Sequence, residues 1–176
     1  MQALAFWKAV AMDRSNFLEE LIAVLEEHRI RYCLIDGKAV NAYAEPLVSL
    51  DLDLVVAVDQ LPAVEDLLRT RFRVEQFPHS LNVSTSDSEL RVQVQTDPRY
   101  LDFPERASVR IVLGFPLPVA AVEDVLAGKI WAAQDPDRRA TKRRKGLLDI
   151  ERLLEAHPEL QGRVPAEILA RLAGPV

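Results

Sequence analysis

Ser49-Leu50-Asp51-Leu52-Asp53-Leu54-Val55-Val56-Ala57-Val58 is a run of alternating residues broken by two acids. Successive side chains of a β-strand point to opposite faces, so Leu50, Leu52, Leu54, Val56 and Val58 share one face and Asp51, Asp53, Val55 and Ala57 share the other. Two carboxylates on one pleat face lie roughly 6–7 Å apart and repel, so a positive group belongs beside them. Hard oxygen ligands at that spacing suit one or two Mg²⁺ ions whose coordination is completed by substrate phosphates. By itself the triplet also fits a sheet with one solvated face, on which the aspartates meet water.

Upstream, Tyr32-Cys33-Leu34-Ile35-Asp36-Gly37-Lys38-Ala39-Val40 reads as a buried strand (31–35), a glycine turn and a short helix (38–43) closed by Pro46. A glycine there lets backbone N–H groups approach phosphate, and the new helix offers its positive end. Before it, Phe17, Leu18, Leu21, Ile22 and Leu25 recur at helical spacing over 16–28, behind a capping Ser15. After the acidic strand come a helix (61–69) and strands at 71–77, 80–85 and 89–95. In the last of these, Leu90, Val92 and Val94 alternate with Arg91, Gln93 and Gln95. A proline-rich stretch and a short strand (109–113) lead into helices at 121–134, 145–156 and 165–172. The expected fold is α/β, a mixed sheet flanked by helices with a helical C-terminal portion. The expected division is a core over 1–118, with residues 1–12 as an extension, and a helical portion over 119–176 packed on that core.

The net charge of −5 argues against a protein that coats nucleic acid by bulk electrostatics. Arg138, Arg139, Lys142, Arg143, Arg144 and Lys145 nevertheless place six cations within eight residues. The single cysteine, Cys33, lies in an apolar run and reads as a core residue. No apolar stretch reaches the roughly 20 residues of a membrane span, and no leader signal opens the chain, so a cytoplasmic location without membrane contact is expected. His28, His79 and His157 show no metal-ligand spacing, and Trp7 and Trp131 read as packing residues. Lys129 falls in the middle of the apolar stripe formed by Val122, Val125 and Leu126. A lysine aimed inward needs an anionic partner or a route by which its ammonium snorkels to water.

Taken together, these blocks resemble the nucleotidyltransferase superfamily, in which a strand ending in a glycine turn precedes Asp-x-Asp on the next strand. More narrowly they look like AbiEii-type toxins of type IV toxin–antitoxin systems and related minimal nucleotidyltransferases. The first block is Asp36-Gly37-Lys38-Ala39 with Ser49, Asp51 and Asp53; the second is Lys129 followed by Arg143, Lys145, Gly146 and Asp149. The resemblance implies Mg²⁺ (or Mn²⁺) on Asp51 and Asp53 and a nucleoside triphosphate held by Gly37, Lys38, Ser49, Arg143 and Lys145. It also implies catalytic roles for Lys129, gripping phosphate, and Asp149, orienting that lysine or the acceptor. An RNA acceptor such as tRNA, drawn in by Arg138 to Lys145, follows by analogy, as do a protein acceptor and an antitoxin partner. The pattern is departed from at Asp36, where a glycine is expected and Lys38 is placed to offset the charge. It is also departed from at Gln93, where many members carry a third carboxylate, at Leu47 and at Gly146. These departures leave room for a silent module that binds nucleotide, RNA or protein without chemistry.

Overall fold

The computed structural model describes Ala5, residues 16–49 and residues 51–174; the capping Ser15, Trp7, Leu50 and all of the expected extension but Ala5 lie outside the described residues. Seven strands form one mixed sheet: β1 Tyr32–Ile35, β2 Asp51–Val56, β3 Arg73–Phe77, β4 Ser80–Ser84, β5 Arg91–Gln95, β6 Ser108–Val112 and β7 Phe115–Val119. Their order is β3-β4-β5-β2-β1-β7-β6. The β2–β5 and β1–β7 pairs are parallel, and the remaining neighbours are antiparallel. The helices are α1 Phe17–Glu27, α2 Asp36–Val40, α3 Leu61–Arg71, α4 Val122–Gln134, α5 Ala140–Ala156 and α6 Ala166–Leu172. The expected mixed sheet with flanking helices is therefore the fold, and no helix among the described residues is long and apolar enough to cross a membrane.

Alternation along β2 and β5 sorts the side chains as the sequence requires. Leu52, Leu54, Val92 and Val94 are buried, and they join Leu81 and Val83 of β4, Phe17, Leu18 and Leu21 of α1 and Val64 and Leu68 of α3 in one apolar core. Burial of that apolar surface is the main favourable contribution to the fold. Cys33 is fully buried in the same core, and burial pushes its thiol up to about 12, so it stays an inert packing group. The strand stops short of its pattern: β2 ends at Val56, and Val58, expected on the apolar face, opens a short 3-10 turn over Val58–Gln60 and is exposed.

Three elements differ from expectation. The chain is already helical at Asp36, whose φ of 54° lies in the left-handed region that a non-glycine residue seldom occupies. Helix α5 starts at Ala140, five residues early, so the basic segment is itself helical; alanine, lysine and arginine are all good helix formers. Finally, the proline-rich Phe115–Val119 is a strand. The Ala120 N–H donates to Leu34 O at 3.0 Å, so residues 116 and 118 would donate toward β1 as well, but both are prolines. Their missing N–H groups explain why β1 and β7 share a single paired position, Leu34 with Val119, while β7 pairs with β6 along its whole length.

Candidate active site

Strand register determines which side chains meet. Asp53 is paired with Ile35 of β1 on one side and with Gln93 of β5 on the other, and Asp51 is paired with Arg91. Gln93 is in turn paired with Asn82 of β4, and Asn82 with Glu75 of β3. Directly paired residues project to the same face. Asp53, Gln93, Asn82 and Glu75 thus form a row across the sheet at steps of roughly 4.8 Å. All four border one cleft of about 390 Å³, as do Asp36, Asp51, Arg91, Tyr100, Lys129, Arg138 and Lys142. The sheet provides its floor, with α4 and the start of α5 on another side.

Burial pushes the Asp53 carboxyl up to about 8, helped by the negative charges of Asp36 and Asp51 and opposed by Lys129 and Lys145. Behind it, Asp36, Lys129, Asp149 and Arg152 alternate in charge. Lys129 Nζ lies 2.5 Å from Asp36 Oδ1 and 2.7 Å from Asp149 Oδ2, and Arg152 Nη1 donates to Asp149 Oδ1 at 2.7 Å. Arg152 Nη2 also donates to Asn41 Oδ1 and to the Glu45 carbonyl, tying α5 to the chain after α2. Lys129 and Asp149 are 3% and 1% exposed, so only this mutual pairing makes their charges tolerable. Burial alone would lower the Lys129 pKa, but Asp36 and Asp149 raise it; Asp36 ionises below its usual range against burial because of Lys129.

This arrangement revises two expectations. Lys129 does not snorkel: its ammonium lies between the carboxylates of Asp36 and Asp149, and the residue also borders the cleft. It is also Lys129, and not Lys38, that offsets Asp36. Lys38 donates to Ser49 O at 2.8 Å, and burial pushes its ammonium down to about 8, against the pull of Asp51 and with help from Lys145. Gly37 packs beside Ser49: a Cβ there would stand 3.7 Å from Ser49 Oγ. Gly37, Lys38 and Ser49 therefore form one cluster next to β2, and none of the three is among the residues that line the cleft.

The basic segment is split. Arg138 and Lys142 face the cleft, whereas Arg143 Nη1 donates to the Pro136 carbonyl at 2.9 Å and to the Arg138 carbonyl, fixing the turn before α5. Lys145 is exposed, though near enough to act on Asp53 and Lys38. Sequence reasoning singled out neither Arg138 nor Lys142 individually; Arg138 lies just before α5 and Lys142 in its first turn, places that became readable only once α5 was known to begin at Ala140. Tyr100 and Phe103 also line the cleft. Trp131 supports Tyr100 from behind with ring centres 5.2 Å apart, so it packs as expected. A Cβ on Gly128 would come within 3.1 Å of Tyr100 Cε1, so that glycine gives the ring its place.

No cluster of three or more His, Cys, Asp or Glu side chains suited to a metal ion occurs among the described residues. Asp51 and Asp53 remain a pair of hard oxygen donors, and Mg²⁺ characteristically binds through one or two carboxylates with substrate phosphates, not in an all-protein cage. The mutual repulsion at Asp53 is what an added cation would relieve, so the pair fits such an ion.

The chain matches no model of a known family and no curated protein. Solved structures do share its fold. ANT(2″)-Ia in complex with adenylyl-2″-tobramycin is 14% identical over 89% of this chain and 97% of that one, with a TM-score of 0.63. An antigenic nucleotidyltransferase-like protein from Paracoccidioides brasiliensis is 20% identical over 95% and 85%, with a TM-score of 0.54. The lincosamide antibiotic adenylyltransferase LnuA, bound to lincomycin, is 11% identical over 79% and 97%, with a TM-score of 0.51. The chain therefore has the fold found in nucleotidyltransferases.

Proposed function

We propose that this chain is a metal-dependent nucleotidyltransferase that moves a nucleoside monophosphate from a nucleoside triphosphate to an acceptor hydroxyl. The observation that carries the reading is the meeting of Asp51 and Asp53 with Arg138 and Lys142 on one cleft, acids on the sheet floor and cations on the helical side. Asp51 and Asp53 would hold Mg²⁺ or Mn²⁺, which when bound neutralises charge developing on the α-phosphoryl oxygens. Arg138 and Lys142 would take the β- and γ-phosphates, as cations suited to several phosphate oxygens. Lys129 serves as a positioning residue that fixes Asp36 and, through Asp149 and Arg152, ties the second half of α5 to the chain after α2. The acceptor oxygen bonds to the α-phosphorus, the bond from that phosphorus to the bridging oxygen breaks, and pyrophosphate leaves.

Support also comes from the fold shared with LnuA, a lincosamide antibiotic adenylyltransferase, and with ANT(2″)-Ia, whose complex holds adenylyl-2″-tobramycin. The narrower AbiEii-type reading, with an RNA such as tRNA or a protein as acceptor and an antitoxin as partner, rests on the Arg138 to Lys145 segment. The division of that segment weakens it, because two of its cations border the cleft and Arg143 is taken up by carbonyls. The test is transfer of α-labelled nucleotide with Mg²⁺ to small molecules, RNA and protein, beside an Asp51→Ala/Asp53→Ala variant. Transfer by the unaltered chain alone supports the enzyme. Binding of nucleotide with no transfer to any acceptor favours the silent module.

A further inference from the structure

Asp51 opens β2, Arg91 opens β5 and Ser84 closes β4, and the strand register sets the three side by side at one end of the cleft floor. Asp51 is paired with Arg91, and the pairing of Val83 with Val92 brings Ser84, the next residue of β4, alongside Arg91. All three border the cleft. Neighbouring strands lie roughly 4.8 Å apart, so Arg91 and Ser84 stand about 5 and 10 Å from Asp51 along the floor.

Most other charges of the cleft are already balanced within the protein. Lys129 lies between Asp36 and Asp149, Asp124 accepts from Arg106 at 2.9 and 3.0 Å, and Glu75 is 2.7 Å from Arg73. In the proposed reaction Asp51 and Asp53 take the metal, and Arg138 and Lys142 take the β- and γ-phosphates from the helical side. Arg91 is left over on the sheet side. Its guanidinium makes no ion pair or hydrogen bond among the described residues, although a carboxylate stands one strand away, and the Ser84 hydroxyl is likewise without a partner among them. An unpaired cation in a cleft walled by protein projects its field into that cleft. A guanidinium fork with a hydroxyl beside it supplies the donors that a phosphate or carboxylate group takes up.

Resting on the proposed transfer reaction, we infer that Arg91 and Ser84 form an anion subsite for the acceptor, and that the acceptor is a small hydroxyl compound carrying a phosphate or carboxylate. Its anionic group sits on Arg91 and Ser84 while its reacting hydroxyl lies beside Asp51 and Asp53, so a short carbon skeleton joins the two. The hydroxyl oxygen bonds to the α-phosphorus, its proton passes to solvent, and pyrophosphate leaves with the electron pair of the broken P–O bond. Each substrate then has its own cations, Arg138 and Lys142 for the triphosphate and Arg91 for the acceptor.

The experiment uses the full chain with Mg²⁺ and each α-labelled nucleoside triphosphate. The acceptor arms are glycerol 3-phosphate and glucose 6-phosphate, glycerate and gluconate, the uncharged parents glycerol and glucose, and total tRNA. Label is expected on a phosphate- or carboxylate-bearing member, with kcat/KM at least about tenfold above that of its uncharged parent, and the first two arms tell which anionic group is read. Arg91→Gln is expected to lower kcat/KM for that acceptor about tenfold and Ser84→Ala several-fold, and both should leave the rate with the uncharged parent where it was. Neither should alter the binding of Mn²⁺ with a non-hydrolysable triphosphate, measured by calorimetric titration. Four results overturn the subsite and leave the transfer reading standing: an uncharged parent accepting as well as its anionic derivative, label on tRNA alone, no anionic member accepting, or weaker triphosphate binding by Arg91→Gln. Absence of Mn²⁺·triphosphate binding by the unaltered chain overturns both.

Discussion

Asp53 ionises against its surroundings, and that opposition is measurable. A carboxyl with a folded pKa near 8 and an unfolded value of about 3.9 binds more protons when folded. Linkage then makes its contribution to stability fall as pH rises from about 4 through 8. Asp53→Asn removes that charge, so in chelator the variant should melt above the unaltered chain, with a gap that widens from pH 5 to pH 8.5, while transfer is lost. A gap that is flat or reversed in sign would show that Asp53 is not under this strain. Lys129→Met presents the opposite case, since it leaves Asp36 and Asp149 facing each other without their shared cation. Breaking a buried pair of this kind costs about 3 kcal/mol, readable by urea denaturation, and a cost below about 1 kcal/mol would contradict the network. Asp51, Asp53 and the inward aim of Lys129 were legible in the sequence because each rests on a local period of a strand or helix. The partner of Asp36 was not, since Lys129 lies 93 residues away and Lys38 was the cation in local view.

At the level of elements, helix α5 does two jobs that its sequence mixes together. Its first turns face the cleft through Lys142, with Arg138 just before them, and its middle packs through Gly146, Asp149 and Ile150. Arg138→Ala or Lys142→Ala should weaken triphosphate binding about tenfold each, as expected for one charge-assisted contact, measured by calorimetric titration. Arg144→Ala, on an exposed residue that does not line the cleft, should change it little. The resemblance expects an acid at 146. A Cβ on Gly146 would make only ordinary contacts, the nearest 3.8 Å away at Lys129 O, so a methyl fits there. Gly146→Ala should therefore add about 0.5–1 kcal/mol of stability, through helix propensity, without altering transfer. Gly146→Asp would bury an additional charge and should destabilise. Strand β7 was illegible for a physical reason. Pro116 and Pro118 read as strand breakers, yet their missing donors fall on the side toward β1, and the N–H groups facing β6 belong to Phe115, Leu117 and Val119.

Across the whole molecule, the mixed sheet does most to produce function. It sets Asp51 and Asp53 near the middle of the strand order, flanked by β5 on one side and β1 on the other, so the floor continues past them in both directions. The α/β class was legible because alternation and helical spacing are strong in β2, β5, α1 and α4. The order of strands and the gathering of Arg138 and Lys142 over the sheet depend on contacts between distant segments, which no local pattern encodes. The resulting cleft separates a cationic helical wall from a floor of acids and amides, and the account as a whole requires nucleotide and metal to be bound between them. The most direct measurement is a crystal structure of the chain with Mn²⁺ and a non-hydrolysable nucleoside triphosphate, the ion being located by its anomalous scattering. The account predicts the anomalous peak at the carboxylates of Asp51 and Asp53, with the triphosphate running toward Arg138 and Lys142. An ion bound elsewhere, or phosphates lying away from this cleft, would contradict it.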